Sequence, residues 1–194
     1  MYSTKTATNN NTEFVSSYMP AGINENVTLK SVEAKKSPTG KDFIEFVFQN
    51  SEGKTVPMTE WKNEKGMFDK TDEDLQRRDD LQFGRIMQII NCFLPTVEAE
   101  FSNFKEMIDW VCDTLNPMIA LNSKLRLKVV YDKKNYTTVS KNGIFVEKMD
   151  VETSEIKKLG RDKFERQVIA DTEKSVDPLT SNGTPEEGAD DLPF

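Results

Sequence analysis

Two hydrophobic periods divide this chain. Apolar and polar residues alternate over 26–36, 42–49 and 54–61. They then recur at three- and four-residue spacing over 70–122, and alternate again from Leu125. Alternation places every second side chain on one face of a strand, whereas the longer spacing draws one stripe along a helix. In the first strand Val27 and Leu29 alternate with Thr28 and Lys30, and the phase shifts near Val32 and Ala34, which predicts a bulge or strong curvature. A turn at 37–40 leads into a second strand with Ile44, Phe46 and Phe48 on one face and Phe43, Glu45 and Val47 on the other. A hairpin turn at 50–53 follows, then a third strand containing Pro57. Proline cannot donate to a ladder, so this strand belongs at a sheet edge.

The helical block opens with Thr71 or Asp72 as cap, carries Leu75, Leu81, Ile86, Ile89 and Ile90 at helical spacing, and closes at Pro95. A second stripe comprises Phe101, Phe104, Ile108, Val111 and Cys112, with a short turn at 117–121. Leu125, Leu127 and Val129 then alternate with Arg126, Lys128 and Val130. A turn at 132–135, a strand over 136–141, a tight turn at Asn142-Gly143 and a strand over 144–148 complete the pattern. Residues 152–170 are charged with thin helical periodicity at Ile156, Leu159, Phe164 and Val168. Phe46, Phe48, Phe101 and Phe104 read as core. The Thr/Asn/Ser-rich residues 1–17 read as a flexible arm, 18–170 as one domain, and 171–194 as a disordered acidic tail.

Three strands, a helical insertion at about 70–122 and then strands four and five is the order of an oligonucleotide/oligosaccharide-binding (OB) barrel, mainly β with an enlarged helical block. In that fold the face of strands two and three, with the adjoining loops, binds single-stranded nucleic acid.

Charge changes the picture by its distribution. The chain carries −7 overall, but residues 171–194 alone carry −6, so the folded part is close to neutral. Within it, residues 123–148 sum to +5 and residues 69–122 to −6. The first is the candidate nucleic-acid face and the second a solvent face. The absence of histidine removes the commonest general base and metal ligand. Cys92 and Cys112 lie in apolar helical patterns without a CxxC partner, so they read as buried thiols and not as a zinc site. With no phosphate-binding glycine loop and no nucleophile motif, an enzyme is not expected. The acids at 72–74 and 79–80 could hold magnesium in a nuclease, yet acids at a helix start also suit its dipole. No cofactor is expected. The polar start and the lack of a membrane-length apolar run point to a soluble, cytoplasmic protein.

The sequence ends on Glu186-Glu187-Gly188-Ala189-Asp190-Asp191-Leu192-Pro193-Phe194, a carboxylate run behind a short apolar tip. This resembles the C-terminal tip of bacterial and bacteriophage single-stranded-DNA-binding proteins, which ends in acidic residues, an apolar residue, proline and phenylalanine. Leu192 departs from the isoleucine usual in bacterial tips, a change a pocket should tolerate. The resemblance implies sequence-independent coating of single-stranded DNA in replication, recombination and repair, inside a bacterial host cell if phage-encoded. It also implies recruitment of partner enzymes through Asp190, Asp191, Leu192, Pro193 and Phe194, and it is compatible with a homo-oligomer.

Such a ligand needs cations for its phosphates and aromatic platforms for its bases. The candidates are Lys35, Lys36 and Lys41 around the first hairpin, Phe43 on strand two, and Trp61 and Lys62 at the end of strand three. Arg126 and Lys128 occupy out-facing positions of strand four, and Lys133, Lys134 and Tyr136 form the next loop. Phe43 reads equally as platform or as packing against the helices, and lysine loops are often plain solvated turns. The rival function is a protein-interaction module or an acidic DNA mimic that binds a DNA-processing enzyme, which the −6 helical block permits.

Overall fold

The computed structural model describes residues 16–66 and 71–167. Their elements are β1 (Gly22–Lys36), β2 (Asp42–Gln49), β3 (Thr55–Trp61), α1 (Asp72–Asn91), α2 (Phe104–Ile119), β4 (Leu125–Tyr131), β5 (Thr137–Val139) and β6 (Val146–Lys148). Strand pairings are antiparallel and run β3-β2-β1-β4-β5 across the sheet, with β6 also on β4. The end strands β3 and β5 approach each other. The sheet is therefore a nearly closed, barrel-like β structure with the helices inserted between β3 and β4, an arrangement compatible with an OB-like fold. The arm expected at 1–17, apart from Ser16 and Ser17, and the tail expected at 171–194 lie outside the described residues.

Curling depends on β1, which serves two neighbours. Its second half pairs with β2 and its first half with β4. Against β2 the register passes from Leu29↔Phe48 to Ser31↔Val47, so Lys30 is the extra residue of a bulge. Buried positions accordingly change phase from Val27 and Leu29 to Val32, which is the shift visible in the sequence, placed slightly earlier. A second irregularity, between Asn24 and Val27 against β4, includes Asn26 at φ 56°. The apolar face of β2 meets its neighbours in register, Val32↔Phe46↔Met58 and Leu29↔Phe48↔Val56, and Phe46 and Phe48 are fully buried. Pro57 sits where expected, on the end strand. Thr55 and Thr59 bond away from β2, to Ser17 and Met19 and to Lys141, and Pro57 shares their phase, so its missing N–H takes nothing from the β2 ladder.

Thr71 caps α1 through a capping box with Asp74, and Asn103 caps α2. Three expectations for the helices shift. The buried stripe of α1 is Gln82, Ile86, Ile89 and Ile90, while Leu81 is 60 % exposed and Leu75 half-buried. The barrel covers only one narrow side of this helix, and Leu81 points off it. Pro117 lies inside the last turn of α2 and does not start a separate turn. No helix forms over 151–167. That stretch is irregular and is tied to the sheet by backbone and side-chain bonds, among them the Tyr131 N–H to the Lys163 carbonyl at 2.7 Å. Phe101 and Phe104 pack on the core from partly buried positions, and Phe101 meets Phe83 and Trp110 between the helices.

The tight turn expected at Asn142-Gly143 is also corrected. β5 and β6 do not form a hairpin. Both lie along the same edge of β4, where the Lys128 N–H donates to the Phe145 carbonyl and the Lys128 carbonyl accepts from the Ser140 N–H, so residues 141–144 loop out of one interrupted strand. The cause is the Lys128 side chain. It is fully buried, its Nζ bonds Asp162 Oδ2 at 2.9 Å, and it donates to the carbonyls of Asn142 (2.8 Å) and Lys157 (2.9 Å). Asp162 in turn accepts from Ser140 Oγ, Asn142 Nδ2 and the Leu159 N–H. Burial alone would push the Asp162 carboxyl up, but Lys128 and these donors hold it at about 2.

Two outcomes follow for this ion pair. Asp162→Ala leaves a buried ammonium unpaired and should cost roughly 3–5 kcal/mol in urea denaturation. Because the Asp162 pKa is depressed on folding, its contribution is present above the unfolded carboxylate range and is lost as pH falls towards about 2. Stability measured from pH 5 to pH 2 should therefore fall more steeply in the native protein than in Asp162→Asn.

Candidate nucleic-acid interface

Antiparallel register brings three of the expected residues into one row. Lys35 pairs with Phe43, and Phe43 pairs with Trp61. The Phe43 and Trp61 rings stack with centroids 4.3 Å apart and planes 29° from parallel, and Trp61 is 44 % exposed. The row lies on the face of β2 opposite the buried Ile44, Phe46 and Phe48. Phe43, half-buried, is thus one member of an aromatic pair on this face of the sheet. A stacked pair at a sheet surface offers an apolar plate to a flat ligand.

The next row on this face is Glu33, Glu45 and Thr59. Lys35 reaches back into it, pairing with Glu45 and lying 3.1 Å from Glu33. Hydrogen bonding to Glu45 and then Glu33 raises the Lys35 pKa. Lys36 pairs with Asp42 at 3.5 Å, and Lys41, at the end of the turn held by Gly40 (φ 83°), pairs with Glu64 at 2.6 Å. The first-hairpin lysines are therefore all paired on the protein itself. Lys62 is exposed and makes no salt bridge within 4 Å among the described residues, although its charge acts on Glu64.

The remaining candidates divide. Lys128 is the central correction: expected to face out, it is 0 % exposed and belongs to the interior pair with Asp162. Arg126 is also committed, with only 14 % of its side chain exposed, bonded to Glu147 and to Glu25 at 3.2 Å. Alternation failed here because residues beyond β6 cover the second face of β4, so Lys128 and Val130 are as enclosed as Leu127 and Val129. Of the +5 of residues 123–148, Arg126, Lys128 and Lys141 pair with Glu25, Asp162 and Glu60 from outside the stretch. Lys133, Lys134 and the 64 % exposed Tyr136 do project, on a turn closed by Asp132 Oδ1 accepting from the Lys134 and Tyr136 N–H groups. Asn135 ties this turn to Gln167, not to the Phe43–Trp61 row. The tip residues Asp190, Asp191, Leu192, Pro193 and Phe194 lie outside the described residues.

A second polar centre supports the platform from behind. Glu60, the residue before Trp61, is 2 % exposed and receives both Arg85 Nε (2.8 Å) and Nη2 (2.9 Å), with Gln82 at 3.1 Å and Lys141 at 3.0 Å. Burial pushes its carboxyl up, but Arg85, Lys141 and Gln82 outweigh burial and hold it below the usual range. Gln82 Nε2 also bonds the Trp61 carbonyl at 2.8 Å. Sequence reading missed Glu60 and Glu33, although alternation had already put Glu45 on the face of Phe43.

A scan of the chain against protein-family models finds no match, and a search of curated proteins finds none either. No helix among the described residues is long and apolar enough to cross a membrane, and no group of three or more Cys, Asp or Glu among them is placed to hold a metal ion.

Two measurements check these placements. Trp61→Ala loses one face of an exposed stack and should cost about 1 kcal/mol, whereas Phe46→Ala should cost roughly 3–5 kcal/mol. Burial pushes the Cys92 thiol up to about 12 and also raises that of the half-buried Cys112. A thiol reagent at pH 8 should label Cys112 first, and Cys92 only as the protein unfolds.

Proposed function

We propose that this protein is an OB-type barrel that binds single-stranded DNA without strong sequence preference, with the β1–β3 face as its contact surface. The observation that carries the reading is the stacked Phe43–Trp61 pair on β2 and β3, with Phe43 half-buried and Trp61 exposed. Base faces stack on aromatic side chains for about 1–3 kcal/mol each whatever the base, which gives affinity with tolerance of sequence. The strand order and the helices between β3 and β4 support the same reading. Trp61 and Phe43 act as platform, Lys62 as phosphate contact, and Lys133, Lys134 and Tyr136 as an outlying contact on the β4–β5 turn. Arg126 and Lys128 have no part in the contact.

In this reading the acidic segment 171–194 competes with DNA for the cations of the barrel, and the tip Asp190–Phe194 captures replication, recombination or repair proteins. These are the partners to be expected of a protein of bacteriophage or bacterial type. The competition is between exposed charges and is screened within about 8 Å at physiological salt, so removing residues 171–194 should raise DNA affinity mainly at low ionic strength.

The test is titration with oligo(dT) and with duplex of equal length, read by tryptophan fluorescence. Trp61 should be quenched by the single strand and not by the duplex, and Trp61→Phe should remove most of the signal while Trp110 remains. Because Lys35, Lys36 and Lys41 beside the Phe43–Trp61 row are all held by carboxylates, log affinity should fall only shallowly with log salt, at roughly 0.7 per phosphate contact. Equal affinity for both DNA forms, or no binding at low salt, would point instead to a protein-interaction module.

A further inference from the structure

The aromatic row is bordered by an arrangement that a sheet does not favour. Glu33 and Glu45 face each other directly across β1 and β2, and like charges in opposed positions repel. Lys35 is what reconciles them, pairing with both. Yet Lys35 is also the register neighbour of Phe43 in the row that ends on Trp61. It is thus a cation directly beside the platform in the sheet register, and in the unbound protein it is turned towards two carboxylates. The three charges sum to −1 beside the plate. A strand whose bases stack on Phe43 and Trp61 must bring its phosphates to this edge.

We propose that Glu33 and Glu45 are affinity-limiting residues of the interface: they occupy Lys35 as internal counter-ions, and a DNA phosphate must displace them to be bound. The inference rests on the single-stranded-DNA reading and adds a control to it. With the carboxylates in place, base stacking supplies most of the affinity and Lys35 contributes little. With both neutralised, Lys35 is released to a phosphate and the −1 field becomes +1. The raised pKa of Lys35 is the companion sign of the same pairing.

The experiment uses the full chain and oligo(dT), comparing native protein, Glu33→Gln/Glu45→Gln, Lys35→Ala and the triple variant. The glutamines keep size and polarity at part-exposed positions, so folding should be retained. The double variant should bind about two- to five-fold more tightly at low salt, the range exposed ion pairs are worth, with a salt slope steeper by roughly 0.7 for one gained phosphate contact. Lys35→Ala should reduce affinity clearly in the double-variant background and little in the native one. Independently of DNA, NMR titration of the Lys35 ammonium should show its pKa falling in the double variant. If the native protein binds and neither affinity nor slope changes, or Lys35→Ala has the same effect in both backgrounds, the counter-ion role is overturned while the binding reading stands. If no variant binds oligo(dT) although the Lys35 pKa falls as expected, the binding reading fails and the proposed control falls with it.

Discussion

The structure depends on a barrel seam made by side chains instead of a strand ladder. β3 and β5 come close but are not in the pairing scheme of the sheet. The residues looped out of the interrupted strand bridge them. Lys141 donates to the Thr59 carbonyl and pairs with Glu60, while Gln88 bonds the Gly143 carbonyl and the Phe145 N–H. The loop adopts this shape because the buried Lys128 ammonium needs acceptors and takes the Asn142 and Lys157 carbonyls along with Asp162. A lone buried charge is very costly, and a paired one is tolerable only when its remaining donors are satisfied. All three protons of Lys128 have an acceptor.

That seam positions the candidate site. Glu60, held by Lys141 from the loop and by Arg85 and Gln82 from α1, fixes the end of β3. Trp61 follows at once, and its carbonyl is bonded by Gln82. The indole is therefore presented from a braced backbone, so a ligand would not have to order it. The exposed ring and the buried carboxylate next to it are two sides of one strand, alternating as strand geometry requires.

Most of the fold was legible in the sequence, and its limits are instructive. Phe46 and Phe48 announced the core face, Thr71 the helix cap and Pro57 the edge strand, because each reports a local constraint. Phe43 and Trp61 could be suspected singly, but only register shows that they stack. The basic stretch misled, because composition counts charges and cannot see their partners. Glu25, Glu147 and Asp162 are distant from Arg126 and Lys128 in sequence and adjacent in space. Likewise the periodicity of residues 152–167 suggested a helix where the chain instead covers β4. Its apolar residue Ile156 is buried without any helical stripe, and the Lys157 carbonyl and Asp162 serve Lys128.

The central claim is that DNA bases stack on the Phe43–Trp61 face. The most direct measurement is an amide and indole NMR titration of the full chain with a short oligo(dT). The account predicts that the Trp61 indole N–H and the amides of Lys35, Phe43 and Trp61 shift together on binding, while the Trp110 indole, packed against Phe101, stays in place. Shifts confined to the Tyr136 turn, or none on β2 and β3 under saturating oligonucleotide, would contradict it.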